Sequence, residues 1–125
     1  VAWVDTRLGT SPNEIFGTEL TAAGGVVTAN GFRISAHGAS TALSSTEVQY
    51  ASGVNLWVIA WSWGGTTDFY AGTVAPGTTV EAAEADYESV SPPIAGSPLI
   101  AASPSGQVLG LYRAGRPVGR FFTVP

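Results

Sequence analysis

Apolar residues in this chain fall in short blocks or on alternate positions, and Gly, Pro, Asn and Ser interrupt them at close intervals. Such a pattern predicts strands and turns. The clearest case is Val54–Val74. Val54–Trp63 is mostly apolar, Gly64–Asp68 is polar and Gly-rich, and Phe69–Val74 is apolar again. Two runs rich in β-branched and aromatic residues, joined by a short Gly-containing connection, predict a β-hairpin. Trp57, Trp61 and Trp63 share parity, so an unbroken strand puts all three indoles on one face. A face of this kind is expected to pack between sheets.

The rest of the chain reads in the same terms. Val1–Asp5 predicts a strand, Thr6–Asn13 a loop and Glu14–Leu20 a second strand. Thr21–Ser35 predicts a tight turn with one short strand at most, punctuated by Gly24, Gly25, Asn30 and Gly31. Ala36–Ser45 reads as a small-residue loop, Thr46–Ala51 as a half-buried strand and Ser52–Gly53 as a turn. After the hairpin, Ala75–Thr79 is a turn. Val80–Ser89 holds helix-forming residues and predicts a single helical turn, ended by Pro92 and Pro93. Pro98–Ala102, Gln107–Arg113 and Val118–Val124 read as strands, with turns at Ser103–Gly106 and Ala114–Pro117.

Three places in the chain resemble one another. Val1-Ala2-Trp3 leads through a loop to Glu14-Ile15-Phe16-Gly17. Ile59-Ala60-Trp61 leads to Asp68-Phe69-Tyr70-Ala71, and Gly110-Leu111-Tyr112 leads to Gly119-Arg120-Phe121-Phe122. The upstream segments correspond too: Thr46–Trp61 matches Pro98–Tyr112. The chain therefore reads as one all-β repeat domain, with a half unit at 1–35 and full units at about 36–91 and 92–125. Four-stranded antiparallel units at such spacing predict a β-propeller-like arrangement of about two and a half blades. A β-sandwich is the alternative. Two and a half blades do not close a ring, so the exposed edges predict self-association, membership of a larger protein, or closure as a sandwich-like barrel.

One resemblance to a known family rests on particular residues. Val1-Ala2-Trp3-Val4-Asp5-Thr6-Arg7, then Ile15-Phe16-Gly17-Thr18-Glu19-Leu20, then Gly31 and Ile34-Ser35 resemble repeats of large secreted bacterial proteins. Those repeats read W-x-D-x-R, then D-I-Y-G-x-x-V, and end in I-S. The resemblance implies propeller blades on extracellular or surface proteins, without a catalytic site of their own. The second and third units depart from the pattern after the anchor aromatic, with Ser62-Trp63-Gly64 and Arg113-Ala114-Gly115-Arg116.

Composition narrows the partners. Charged residues make up 11% of the chain, which suits a surface solvated by hydroxyls. The net charge is −4 and there is no Lys, so nucleic acid is excluded as an expected partner. With no cysteine there is no disulfide, zinc–thiolate site or thiol nucleophile. No apolar run is long enough for a membrane-spanning helix. The start at Val1 reads as a processed chain or an excerpt of a longer one.

Candidate chemistry is sparse. His37 is the single histidine, in a loop, and no G-x-S-x-G elbow accompanies it. It reads as a solvated loop residue. Glu81, Glu84, Asp86 and Glu88 cluster in sequence and read as a solvated face, without the spacing of a calcium loop. Asp5 and Arg7 lie on alternate positions after Trp3 and predict a salt bridge or turn-stabilising pair; the functional reading is a polar group beside an aromatic at the blade mouth. The remaining ligand-binding candidates are Trp63, Thr66, Thr67, Asp68 and Tyr70, an aromatic platform with hydroxyls and a carboxylate such as holds carbohydrate. No catalytic residue, metal or cofactor is expected. The expected function is a non-catalytic secreted or surface module for structural assembly or protein binding. The alternatives are a lectin-like carbohydrate-binding module and a fragment of a larger extracellular hydrolase.

Overall fold

The computed structural model describes residues 1–7, 13–35, 43–63, 68–77, 83–89, 98–114 and 116–123. Every regular element among them is a strand. In chain order these are β1 (Ala2–Asp5), β2 (Glu14–Gly17), β3 (Phe32–Arg33), β4 (Leu43–Ala51), β5 (Leu56–Trp63), β6 (Asp68–Val74), β7 (Ala83–Ser89), β8 (Leu99–Ala102), β9 (Gln107–Ala114) and β10 (Arg116–Thr123). They form three antiparallel sheets with orders β1-β2-β3, β4-β5-β6-β7 and β10-β9-β8. Each sheet is a meander of consecutive strands, and none is closed into a barrel. No helix among the described residues is long and apolar enough to cross a membrane.

The sheets stack with the four-stranded one in the middle. Along β5, Trp57, Ile59 and Trp61 point to one side, where they join Val48, Tyr70 and Val74 against Ile15, Phe32 and Ile34 of the first sheet and its flank. Val58 and Ala60 point to the other side, where they join Ala51 and Ala71 against Ile100, Val108 and Tyr112 of the last sheet. The two faces differ in kind. The middle sheet gives its large rings to the first sheet and its small side chains to the last. Ile100, Tyr112 and half-buried Phe122 then fill the space over Ala51, Ala60 and Ala71. A strand covered on both faces needs no polar alternation, which is why Leu56–Trp63 is so continuously apolar.

The cross-strand registers of the first two hairpins agree. Trp3 lies opposite Phe16, and Trp61 lies opposite Tyr70, with nearly parallel rings 6.4 Å apart in the second case. In the last hairpin Tyr112 lies opposite Val118, while Phe121 pairs with Leu109. Ala114 lies opposite Arg116. The wider turn expected at Ala114–Pro117 is thus mostly strand, and the aromatic pair slides away from Tyr112. Two equivalent turns also pack on each other. A Cβ added at Gly53 would sit 1.4 Å from the Pro104 carbonyl oxygen, and one at Gly106 would sit 2.9 Å from Val54 Cγ1. Only glycine permits the β4–β5 and β8–β9 turns to approach so closely.

Other boundaries shift as well. Val80–Ser89, expected as a helical turn, contains strand β7, paired with β6 from Thr73↔Ala83 to Asp68↔Ser89. The Ala and Glu content favours helix, but so short a helix is marginal alone. Glu84, Asp86 and Glu88 also fall on alternate positions, and β6 offers an open edge that satisfies the backbone. The start of β4 at Leu43 reaches into the expected loop, while β2 ends at Gly17, short of Leu20. Leu20 instead makes an isolated bridge to Val26.

Ile34 and Ser35 close the first sheet. Ile34 is in the core, and its N–H and that of Ser35 donate to the Ile15 carbonyl at 2.7 and 3.3 Å. The buried Ser35 hydroxyl accepts from Ile15 N at 2.8 Å and donates to the buried Glu14 carboxylate. Because Trp61 is fully buried in the core between the first and middle sheets, Trp61→Ala is expected to cost about 3–5 kcal/mol of folding free energy. Urea unfolding measures this as a lowered midpoint. A loss under about 1 kcal/mol would contradict the packing described.

Candidate functional site

The first and middle sheets meet tightly where Trp61, Tyr70 and Ile15 pack, and they part toward the opposite ends of their strands. There they leave an open-mouthed cleft of about 160 Å³. Phe32, Ile34, Val48, Trp57, Ile59 and Val74 line its walls. Phe32, Val48, Trp57, Ile59 and Val74 arrive by the two-residue period of their strands and Ile34 follows β3, so the cleft continues the inter-sheet core. Gly17 at the end of β2 keeps it open: a Cβ there would come within 2.6 Å of Ile34 Cδ1. Val1, Thr18, Glu19 and Leu20 form the rim, where Val1 N donates to the Thr18 carbonyl at 2.9 Å.

Glu19 ties this rim across the cleft. Its Oε1 accepts from Trp57 Nε1 at 2.8 Å, and its Oε2 accepts from the Gly77 backbone N–H at 2.7 Å. One carboxylate therefore joins the chain after β2 to β5 and to the turn after β6. Hydrogen bonds to an ionised acceptor are stronger than neutral ones. The bond also orients the Trp57 ring, which stacks at a tilt on Tyr50, 4.9 Å between centroids. What this site offers chemically is apolar contact for a group of modest size, beside a carboxylate whose two oxygens are both engaged.

The other ordered cluster lies on the outer face of the first sheet. Asp5 Oδ2 accepts from Trp3 Nε1 at 2.8 Å and from Arg7 Nε and Nη2 at 2.9 and 2.5 Å, and Oδ1 accepts from Arg7 N at 2.8 Å. The Arg7 guanidinium lies 4.3 Å from the Phe16 ring centroid, a cation–π distance, and also donates to the Asn30 carbonyl. Trp3 packs on Gly31, where φ is +69° and a Cβ would meet the indole at 2.5 Å. Arg7 above all, and then Trp3, hold the Asp5 carboxyl well below the usual carboxylate range, and Asp5 in turn raises Arg7. The expected salt bridge is present. It closes the W-x-D-x-R segment on itself and on the Asn30–Gly31 turn.

The sequence-derived ligand candidates are placed differently from one another. Trp63 ends β5 opposite Leu43, and Asp68 opens β6 opposite Ser89. Thr66 and Thr67 lie outside the described residues, as do His37 and Glu81. The Tyr70 ring packs inward against Trp61 in the core between the sheets. The sequence reading missed Glu19 and the cleft. Glu19 stands in a strand-like run whose end peels away from the sheet, and nothing in its neighbours announces a partner at Trp57. No family model, curated protein or solved structure matches this chain.

Two outcomes follow from these contacts. Glu19→Ala leaves Trp57 Nε1 and Gly77 N without their acceptor and is expected to cost about 1–3 kcal/mol. Glu19→Gln keeps one acceptor and should cost less; a loss under about 0.5 kcal/mol for Glu19→Ala in chemical denaturation would show that the two-sided tie is not what matters. Asp5 has a folded-state pKa below its ordinary value of 3.8. Its contribution is therefore complete above about pH 5 and is lost as pH falls through about 4 and below. The stability difference between the parent and Asp5→Asn should be constant above about pH 5 and shrink below about pH 4, by a small amount because the pair is exposed. A difference that stays flat down to about pH 2 would refute the assignment.

Proposed function

We propose that this chain is a non-catalytic β-repeat module that works by stacking its sheets on further protein surface, in structural assembly or protein binding, outside the cell or on its surface. In this reading the sheets are propeller-like blades laid face to face, and three sheets with a doubly covered middle one favour blades over a two-sheet sandwich. The Ser/Thr/Gly-rich, Lys-free composition leans toward an extracellular setting, with which the absence of Cys is compatible.

The observation that carries the reading is the last sheet. Its strands run LIAA, QVLGLYRA and RPVGRFFT, with no polar alternation on β8 and little on β9. Strand β5 of the middle sheet has the same kind of sequence and is covered on both faces. Among the described residues the last sheet is covered on one. Its other face presents Leu99 at 57% exposure, Leu111 at 45% and Phe121 at 75%. Those three belong to one face by register: Leu99 pairs Leu111, and Phe121 pairs Leu109 two residues away. An apolar face of this kind marks an interaction surface.

The purified chain should therefore show no turnover of chromogenic esters, peptides or glycosides, and no retention on a glycan array. Turnover of any of them would overturn the non-catalytic reading. Glycan retention that Trp63→Ala abolishes would replace it with the lectin-like one.

A further inference from the structure

The three sheets are stacked in one sense. The hairpins β1–β2, β5–β6 and β9–β10 each carry an aromatic that marks one face: Trp3, Trp61 and Tyr112, opposite Phe16, Tyr70 and Val118. The residue before it marks the other face: Ala2, Ala60 and Leu111, opposite Gly17, Ala71 and Gly119. The Trp61 face of the middle sheet lies on the Ala2 face of the first sheet. The Tyr112 face of the last sheet lies on the Ala60 face of the middle sheet, where Ala71 is buried. At both interfaces a ring-bearing face is laid on a face whose c-side position, opposite the marker, is Gly or Ala. One surface of each kind is left over. The last sheet turns its Leu111–Gly119 face outward, with Leu111 45% exposed and Gly119 uncovered. The first sheet turns its Trp3 face outward, since Ala2 and Val4 pack inward and Trp3 stays half-buried.

We propose that the last sheet receives the first sheet of a second copy, with the Trp3 face of that copy laid on the Leu111–Gly119 face, so that the series of sheets continues from one copy to the next. A second copy is the occupant because this contact repeats, between the two ends of the molecule, the two sheet-on-sheet contacts inside it. The receiving face suits it. Gly119 holds the place that buried Ala71 holds under the last sheet, and like it leaves room for the incoming ring. By register Arg113 is the one charged residue of that face among the described residues, because Arg116 and Arg120 fall on the Tyr112 side. The incoming face brings Arg7 with its charge already balanced. Asp5 accepts from Arg7 Nε and Nη2, the Asn30 carbonyl accepts from Nη1, and the guanidinium lies over the Phe16 ring. A planar, paired guanidinium is weakly hydrated and stacks, so it enters an apolar contact more readily than an ammonium would. The contact is head to tail: it closes into a ring if the rotation permits and otherwise continues as an open chain. This inference rests on the stacking-module reading and names its partner.

The test is light scattering on the whole chain across a dilution series, where the parent should show a species of at least twice the chain mass. Leu111→Glu puts a charge on the receiving face and Arg7→Glu puts an unpaired one on the incoming face. Both positions are exposed, and circular dichroism checks that the sheets persist. Each variant alone should associate at least about tenfold more weakly. An equimolar mixture should recover a two-chain species, because each variant supplies the face the other lacks. Hydroxyl-radical footprinting of the parent needs no variant: Trp3 and Leu111 should both become protected as the concentration rises. A parent that is monomeric at every concentration overturns the proposal and leaves the module reading to a different protein partner. Association that Leu111→Glu abolishes but Arg7→Glu does not, with protection of Leu111 alone, means that two last sheets face each other. The head-to-tail contact then falls while the stacking-module reading stands. Association that survives Leu111→Glu, with Leu111 unprotected, overturns the proposal and takes from the module reading the face on which it rests.

Discussion

A small twisted sheet cannot bury its own faces, and the structure depends on the way this chain meets that constraint. The middle sheet is buried on both sides, by the first sheet over its rings and by the last sheet over its alanines. Each neighbour in turn has one face that depends on the middle sheet. Stability is then carried by contacts between neighbouring sheets. The complementarity of the two interfaces fixes which sheet lies where. Trp57, Trp61 and Tyr70 need the aliphatic surface of Ile15, Phe32 and Ile34. Tyr112, Ile100 and Phe122 need the shallow surface that Ala51, Ala60 and Ala71 leave.

Polar contacts set how closely the layers sit. Glu19 pins the chain after β2 to Trp57 and Gly77. Ser35 closes the first sheet between Ile15 and Glu14. Gly53 and Gly106 let two turns of neighbouring sheets touch, where any side chain would hold them apart. The cleft is a consequence of this bracing. The sheets diverge where Gly17 ends β2, and Glu19 bridges the gap without filling it. The result is an apolar hollow of side-chain size in one part of the molecule and an uncovered apolar face in another.

Much of the strand content was legible because both strand signals survive in sequence. Continuous apolar blocks marked β5, β8 and β9, and turn residues marked the connections at Ser52–Gly53 and Ser103–Gly106. Trp57 and Trp61 were readable as packing residues from parity alone. The pair Asp5 and Arg7 was readable because its partners lie two residues apart. Ala83–Ser89 misled, because Ala and Glu advertise local helix preference while the backbone gains more from the open edge of β6. The position of Phe121 opposite Leu109 also escaped, since it depends on the register of β10 on β9.

The candidate site divides in the same way. Tyr70 read as a ligand candidate adjoining the Gly-rich loop, and its ring lies in the core opposite Trp61. Glu19, the residue that shapes the cleft, gave no local signal, for its partners are 38 and 58 residues away. By itself the sequence determined the β class and the meander of strands and turns, since each is written in local periodicity or composition. Only the tertiary structure decided which faces are covered, where the sheets part, and which apolar side chains remain outside. Those depend on contacts between segments far apart in the chain, and a local pattern does not specify its distant partner.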